Sequence, residues 1–251
     1  AELFVHYGSN DNAFAPPGGD RVDVPPGIAH FLEHKMFEKE WGDAFSQFGR
    51  IGASGNAYTS GNYTSYLFWT LNNWQKALEI LFEVVFCPYF TDESVEKEQS
   101  IIGQEIRMYN DNPSSRLVRE TLEALYESHP VRLDIAGTEE SIGHISKDLL
   151  YLCHESFYRP ENMALFVAGD LDAGEVLDLA GKLVGRVKTG GKGIPTRIRP
   201  DEPPSVGKDR EVSLPVPVPL MQIAWKDRPA GDDGEALVRN ELAASLMLDI
   251  M

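Results

Sequence analysis

The chain has 251 residues, of which 42% are hydrophobic and 25% are charged, as expected for one or two globular domains. Its net charge of −16 and pI near 4.7 argue against a protein that binds the phosphate backbone of nucleic acid, which requires clustered Lys and Arg. The two cysteines, Cys87 and Cys153, support neither a disulfide framework nor a cysteine zinc site, and no membrane-spanning run or signal peptide is visible.

A strand, a polar loop and a helix open the chain. Residues 3–7 read as a strand, and residues 8–26 are rich in Asn, Asp, Pro and Gly, which predicts a loop. Residues 28–41 contain neither Pro nor Gly, so a helix is predicted for the whole of that stretch.

This first helix carries an H-x-x-E-H pattern. At about 100° per residue, His30, Glu33 and His34 share one face, while Ile28 and Phe31 lie on a core-facing side. Two imidazoles four residues apart can bind one Zn²⁺, and the carboxylate between them can act on a water molecule. The alternative is an exposed His/Glu helix face without a metal.

Alternating hairpin segments and amphipathic helices follow. A short helix over 43–48 precedes two strands, Ala53–Thr59 and Thr64–Thr70, joined by a turn-forming Ser-Gly-Asn. The periodicity and the capping residues then predict helices from 72 to 87, from Thr91 to 109, from 113 to 126, after Thr138, after Ser146 and from Asp172 to 187, with a buried strand over 163–168.

The last fifth of the chain repeats the opening order of elements. Residues 189–207 are rich in Gly, Pro and charge and are predicted to be a linker. Residues 216–225 are strand-like despite three prolines, and residues 235–251 are predicted to be helical. A faint internal repeat is therefore suggested, with its second copy cut off after one helix.

A third metal ligand is expected on the helix that Thr91 caps. Glu98 and Glu105 are seven residues apart and share one helix face, about 10 Å apart along the axis. One carboxylate could reach the metal, and the other could hold a ligand histidine in position. Solvated surface charge is the alternative for this face.

The ordered motifs resemble those of the insulinase, or pitrilysin, family of zinc peptidases, which includes the mitochondrial processing peptidases, and are nearest to its bacterial processing-peptidase branch. The resemblance is carried by His30-Phe31-Leu32-Glu33-His34, Asn56-Ala57-Tyr58-Thr59, Glu98-Gln99-Ser100-Ile101-Ile102-Gly103-Gln104-Glu105, Tyr158-Arg159-Pro160-Glu161-Asn162-Met163 and Val167-Ala168-Gly169-Asp170.

The resemblance implies an α+β fold with a mixed or antiparallel sheet flanked by helices. It implies that residues 1–208 form most of a catalytic domain that lacks its first strand. Residues 209–251 would begin a second, homologous domain and end within it.

The resemblance also implies a zinc-dependent endopeptidase with one Zn²⁺ per catalytic domain. His30, His34 and Glu105 would bind the metal, Glu33 would be the general base, and Glu98 would support a ligand histidine.

The family binds its peptide substrate along a strand that corresponds here to residues 53–59, so Gly55, Asn56, Ala57 and Tyr58 are the expected substrate contacts. An edge or inner strand of the sheet without that role is the alternative. In the family a second clamshell half, from the same chain or a homologous subunit, adds an Arg and a Tyr. Because that half is absent here, we expect the 251-residue chain alone to cleave poorly.

Two alternatives to a peptidase remain at this point. One is a non-catalytic assembly subunit of the same fold, which the intact motif disfavours. The other is a structural zinc site, although such sites usually use four protein ligands. Neither nucleic acid nor membrane is an expected partner, and a cytoplasmic location is predicted.

Overall fold

The computed structural model describes residues 1–187, 193–204, 209–226 and 234–250. In chain order its strands are β1 (Glu2–Val5), β2 (Ala13–Ala15), β3 (Val22–Asp23), β4 (Glu38–Lys39), β5 (Gly42–Asp43), β6 (Ala53–Thr59), β7 (Thr64–Thr70), β8 (Met163–Phe166) and β9 (Thr196–Arg197). The main sheet has the order β6-β7-β1-β8, and all of its pairs are antiparallel. Both strands of the predicted hairpin are confirmed.

The described residues form nine α-helices, of which the first three pack on one face of this sheet. In chain order they are α1 (Ile28–Lys35), α2 (Ala44–Arg50), α3 (Trp74–Phe86), α4 (Asp92–Asp111), α5 (Pro113–Leu125), α6 (Glu139–Ile142), α7 (Lys147–Phe157), α8 (Ala173–Val184) and α9 (Gly234–Ile250). The predicted caps are confirmed, because Thr91, Thr138, Ser146 and Asp172 each accept a hydrogen bond from the first turn of their helix.

The sheet places its apolar side chains on the helix-covered face. Leu3, Val5, Tyr66 and Phe68 are buried there, against the helices. The opposite face is open in the described part of the chain, where Trp69 is 58% exposed. The α+β class with an antiparallel sheet is therefore confirmed.

The helix that carries the H-x-x-E-H pattern is shorter than predicted. It ends at Lys35 instead of continuing to residue 41, because Glu38–Lys39 turns back and pairs with Gly42–Asp43. Gly42 allows that turn with a φ of 125°. The Lys39 ammonium then donates to the carbonyls of Val84 and Cys87 at the end of α3, which no local periodicity could reveal.

Two predicted loops contain strands. The predicted loop over 8–26 includes β2 and β3, and the predicted linker over 189–207 includes β9, which pairs with β2. Buried Asp11 holds this connection, since Arg197 Nε lies 3.1 Å and Arg199 Nη2 2.7 Å from its Oδ1. The linker prediction is thus wrong for Thr196–Arg197, while residues 188–192 and 205–208 lie outside the described ones.

Two strand predictions differ from the structure, and each difference has a physical reason. Strand β8 ends at Phe166 and is half-buried, because among the described strands it pairs with β1 alone: Met163 and Leu165 pack against the core, while Phe166 on the other face is 61% exposed. Residues 216–225 form no strand, since prolines at 215, 217 and 219 remove backbone donors; Gln222 Oε1 in this segment accepts a hydrogen bond of 3.1 Å from Thr121 Oγ1.

Smaller differences concern helix ends. Helix α2 continues past residue 48 through Gly49 to Arg50, and the last predicted helix is confirmed over Gly234–Ile250, while Met251 lies outside the described residues. The proposed division at residue 208 stays a prediction.

Among the described residues, every helix is too short or too polar to span a lipid bilayer.

Candidate metal centre

Helix α1 presents its polar residues to a cleft because its other faces are anchored in the core. Ile28, Phe31 and Leu32 are almost fully buried. Gly27 begins the helix with a φ of 93°, and a Cβ there would lie 2.5 Å from the carbonyl oxygen of Ala136. Only glycine fits this crossing, which fixes the start of α1 against the segment at Ala136.

Helix α4 brings the two distant glutamates to α1. Thr91 and Ser94 form a reciprocal capping box at its start, and buried Ile102 and Ile106 pack its inner face on the core. Glu98 and Glu105 lie two turns apart and both reach the His30/His34 face.

Three side chains converge as a metal-binding group would. One ligand atom from each of His30, His34 and Glu105 lies within 4.8 Å of the others. The Glu105 oxygens are 3.8 Å from His30 Nε2 and 3.6 Å from His34 Nε2, too far for hydrogen bonds. Two metal bonds of about 2.1 Å at the tetrahedral angle would separate their donor atoms by about 3.4 Å. The spacing and the two-nitrogen, one-carboxylate donor set therefore fit Zn²⁺.

Glu98 holds His34 rather than joining this group. Its Oε1 lies 3.0 Å from His34 Nδ1, which leaves Nε2 facing Glu105. Its Oε2 lies 4.0 Å from the ammonium of Lys35, which is fully buried and also contacts Glu38 and the carbonyl of Ser94. A carboxylate on the far ring nitrogen fixes the tautomer and orientation of a histidine.

The two histidines differ in their electrostatics. Burial, and then the positive charge of His34, lowers the pKa of His30 to about 3, so that ring is neutral at pH 7. Burial acts to lower the pKa of His34, but its hydrogen bond to the Glu98 carboxylate and the charges of Glu33, Glu98 and Glu105 raise the pKa above its ordinary value. His30 Nδ1 is buried without a hydrogen-bond partner in the described structure.

Glu33 lies beside these three side chains, in surroundings that suit a proton acceptor. It is buried, and its Oε2 accepts a hydrogen bond of 2.9 Å from Thr59 Oγ1 on β6. Burial raises the pKa of Glu33, although His34 and the Thr59 hydroxyl act in the opposite direction. A carboxylate with a raised pKa is a better proton acceptor than an ordinary surface glutamate.

These residues line a cleft of about 730 Å³. One wall is formed by α1 and β6. The other wall is formed by α5 and the segment that follows it, and its members are mostly apolar: Val118, Leu122, Val131, Leu133, Ile135 and Ala136.

Strand β6 borders the cleft with a free edge, because it pairs with β7 alone among the described strands. Ser60 N–H donates to Tyr63 O, and the alternation of an antiparallel pair then turns the backbone groups of Gly55, Ala57 and Thr59 outward. The N–H of Ala57 accordingly donates to Asn56 Oδ1 at 2.9 Å instead of to β7.

The predicted substrate residues divide between the two faces of β6. Gly55 and Ala57 share the face of Thr59 and Glu33, and a Cβ at Gly55 would lie 2.7 Å from the Phe48 ring. The side chains of Asn56 and Tyr58 lie on the opposite, exposed face, where Tyr58 Oη donates to Glu2 at 2.9 Å. Binding through these two side chains stays a prediction.

Several residues of the site were not predicted. Thr59 could have been found, since it ends the Asn-Ala-Tyr-Thr segment and alternates onto the face of Glu33. Lys35 directly follows the histidine motif, but only the packing against α4 reveals its contact with Glu98. The wall at α5 carries no motif at all.

Comparison with known proteins is consistent with this geometry. A model of the insulinase family, peptidase family M16, matches residues 18–139, and a model described as the peptidase M16 inactive domain matches residues 144–250. The Bacillus subtilis protein named uncharacterized zinc protease YmfH is 45% identical over 253 residues, which cover 100% of this chain and 59% of YmfH.

Solved structures show the same fold. An M16-like peptidase from Alicyclobacillus acidocaldarius matches with a TM-score of 0.78 and 43% identity, over 81% of this chain and 48% of its own. A protease from Helicobacter pylori matches with a TM-score of 0.71 and 25% identity over the same shares. The chain spans about half to three fifths of the length of these relatives. On this combined evidence the chain belongs to the insulinase family of peptidases, family M16.

Proposed function

We propose that the protein containing this chain is a zinc-dependent endopeptidase. The observation that carries the proposal is the convergence of His30, His34 and Glu105 with buried Glu33 beside them. The name zinc protease of YmfH supports the same metal and reaction. A structural zinc site is disfavoured because only three ligands converge and a base adjoins them.

Each polar residue has a separate task in this proposal. His30, His34 and Glu105 would hold the metal, and Glu98 would keep Nε2 of His34 directed at it. A water molecule on zinc held by these residues would have its pKa lowered towards about 7, which would make hydroxide available at neutral pH. Glu33 would accept the proton of that water and deliver it to the leaving amine.

The free edge of β6 suggests how a peptide is held. An extended substrate could pair with the outward backbone groups of Gly55, Ala57 and Thr59, taking the place of Asn56 Oδ1 at the Ala57 N–H. This pairing would lay the scissile bond along the wall that carries Glu33. We propose main-chain recognition here, with the side chains of Asn56 and Tyr58 as secondary contacts.

The rest of the protein enters the proposal as a partner. We expect a second clamshell half, from the same full-length chain or a homologous subunit, to close over the cleft and hold the substrate. The isolated 251 residues should therefore bind zinc and cleave poorly. Cytoplasmic location also stays a prediction.

The substitution Glu33→Gln tests the proposal in the full-length protein. Zinc content should be retained, while cleavage of a peptide mixture, followed by mass spectrometry, should fall by about 100- to 10,000-fold. Glu96→Gln, a change on the exposed face of α4, serves as the matched control and should leave cleavage unchanged. Normal turnover of Glu33→Gln would contradict the mechanism. Zinc binding by a wild-type protein that cleaves no peptide would favour the assembly subunit.

A further inference from the structure

The cleft wall opposite β6 carries an arginine whose hydrogen-bonding capacity is not used within the described residues. Arg132 ends a one-turn 3₁₀ helix, Pro130–Arg132, and lines the cleft that contains the metal centre. Its Nε is buried and has no hydrogen-bond partner. The guanidinium is positively charged at any pH at which the protein works.

The other arginines of this wall differ from Arg132. Arg119 donates to Asn110 at 2.5 Å and lies 3.8 Å from Asp134. Arg116 Nε, although it makes no hydrogen bond, lies 2.7 Å from Glu120 Oε1 in an ion pair, and Arg210 Nε lies 2.8 Å from Oε2 of the same carboxylate; Arg132 has no such counter-charge within the described residues. Among the described residues, Arg132 therefore takes part in no ion pair of this wall.

A buried donor without an acceptor is costly, and native proteins rarely keep one without a use. No described residue supplies an acceptor to Arg132 Nε, and Arg132 lines the cleft, so a ligand that enters the cleft can offer acceptors to the guanidinium. A carboxylate suits a guanidinium best, because it can accept two parallel hydrogen bonds from the planar fork.

The backbone that carries Arg132 is held firmly. Glu202 accepts hydrogen bonds from the N–H groups of Glu127, Ser128 and His129 at 2.9, 2.7 and 2.7 Å, and Lys226 lies 2.6 Å from it. His129 Nδ1 accepts the N–H of Val131 at 3.1 Å, which caps the turn. Less conformational freedom is then lost when a ligand binds, which favours affinity.

The charges of the cleft separate two regions. The metal end carries the carboxylates of Glu33 and Glu105, which would repel the carboxylate of a ligand. On the opposite wall, the nearest acid in sequence, Asp134, already faces Arg119. Around Arg132 the lining is apolar, which strengthens a charged hydrogen bond by excluding water.

We propose that Arg132 is a specificity-determining residue that binds a carboxylate of the peptide substrate. The carboxylate belongs either to an Asp or Glu side chain near the cleaved bond or to the C-terminus of the peptide. This inference rests on the proposed peptidase function and adds the substrate class, peptides with a negative charge at a defined place.

The test uses the full-length protein and matched peptides. One set replaces Glu by Gln at single positions on either side of the cleaved bond, and a second set compares a free with an amidated C-terminus. The wild type should cleave the carboxylate member of one set at least about tenfold more efficiently, measured as kcat/KM. Arg132→Gln should abolish this preference, because kcat/KM for the carboxylate member should fall at least about tenfold more than kcat/KM for the neutral member.

The control variant is Arg21→Gln, which removes the same charge from an exposed Arg–Asp pair outside the cleft and should preserve the preference. Arg132→Lys keeps the charge without the fork and should retain part of it. Absence of a preference in the wild type, or equal losses on both members in Arg132→Gln, would overturn the inference.

A binding measurement separates this inference from the proposed function. Fluorescence anisotropy of the same labelled peptides on Glu33→Gln protein needs no turnover. The carboxylate peptide should bind more tightly than its neutral partner to Glu33→Gln protein, and this difference should disappear in the double variant with Glu33→Gln and Arg132→Gln. That result would support the role of Arg132 even if no cleavage is found. Equal binding of both members would refute it even if the peptidase is active.

Discussion

The two walls of the cleft are held in place by different forces. Seven of the eight residues of α1 are buried, so the wall with the metal ligands rests on the hydrophobic core. In α5, on the opposite wall, only Glu120 is buried. That wall is held by charges and hydrogen bonds from residues 199–226, chiefly through Glu202, Arg210 and Lys226.

This difference suits the tasks of the two walls. Metal ligands must keep their geometry within fractions of an ångström, which close packing of a core provides. A wall held by polar contacts at the surface keeps its conformation while these contacts are intact, but it opens at a lower free energy than a wall anchored in the core. The comparison therefore predicts that substitutions will affect the two walls in different ways.

The largest loss of stability is expected where the walls meet, at Gly27. In Gly27→Ala, the φ of 93° and the approach of a Cβ to 2.5 Å from Ala136 O should cost about 3 kcal/mol or more. Urea unfolding followed by circular dichroism measures this. Gly49→Ala is the control, because nothing lies within 4 Å of its Cβ, and it should be neutral or stabilising. Equal urea midpoints for Gly27→Ala and wild type would show that the close approach of Gly27 to Ala136 does not contribute to stability.

The core behind the first wall should make stability depend on pH. His154 is buried, its Nε2 lies 2.9 Å from Val85 O, and burial lowers its pKa to about 4 from the ordinary 6.5. Since the folded pKa is the lower one, this contribution is fully present above pH 6.5 and is lost as pH falls towards 4. The loss should be about 3 kcal/mol.

Urea unfolding at several pH values, with chelator present throughout, checks this prediction. The free energy of unfolding should fall less steeply between pH 6.5 and 4 in His154→Gln, whose amide can still donate to Val85. Other titrating groups contribute equally to both proteins. Parallel curves would mean that His154 is not desolvated as the structure indicates.

At the metal centre itself, Glu98→Gln should weaken zinc binding roughly 10- to 100-fold, because the carboxylate on Nδ1 orients His34 and increases its basicity. Competition with a chromogenic chelator gives the affinity. Glu96→Gln, two residues away on the exposed side of the same helix, should bind zinc like the wild type. An unchanged affinity in Glu98→Gln would limit Glu98 to packing.

The smallest effect is expected on the second wall, from Glu202→Gln. Although partial burial acts to raise the pKa of Glu202, the bond from Lys226 and three backbone N–H groups lower it to about 2. Hydrogen exchange should become several-fold faster over residues 127–133 and stay unchanged in α1. The control is Glu211→Gln, at an exposed position of the neighbouring segment. Faster exchange in α1 as well would mean that the two walls are not independent.

The difference between the walls also explains what could be predicted from the sequence. The histidine motif, the caps and the hairpin depend on residues a few positions apart, so the helix and strand periods revealed them. The joint reach of Glu98 and Glu105 followed from their seven-residue spacing on one helix. Assignment of Glu105 as the ligand needed the family resemblance and stays a prediction; its oxygens lie 3.8 Å from His30 Nε2 and 3.6 Å from His34 Nε2.

Features that depend on distant contacts escaped prediction. The end of α1 at Lys35 depends on Lys39 reaching the carbonyls of α3, and β9 depends on Asp11 binding two arginines from the far end of the chain. The wall that carries Arg132 has no periodic or motif signal, because its position is set by Glu202 and Lys226 across about 70 to 100 residues. Polar contacts between residues so far apart in the sequence leave no signal in local sequence patterns.

Zinc stoichiometry tests the central claim most directly. Wild-type protein and Glu105→Gln, with Glu96→Gln as control, should be dialysed against limiting free zinc and analysed by inductively coupled plasma mass spectrometry. We predict one zinc ion per chain in the wild type and the control. Glu105→Gln should lose the ion but keep its fold, as judged by circular dichroism. Equal zinc content in Glu105→Gln and wild type would show that His30, His34 and Glu105 do not form the metal site.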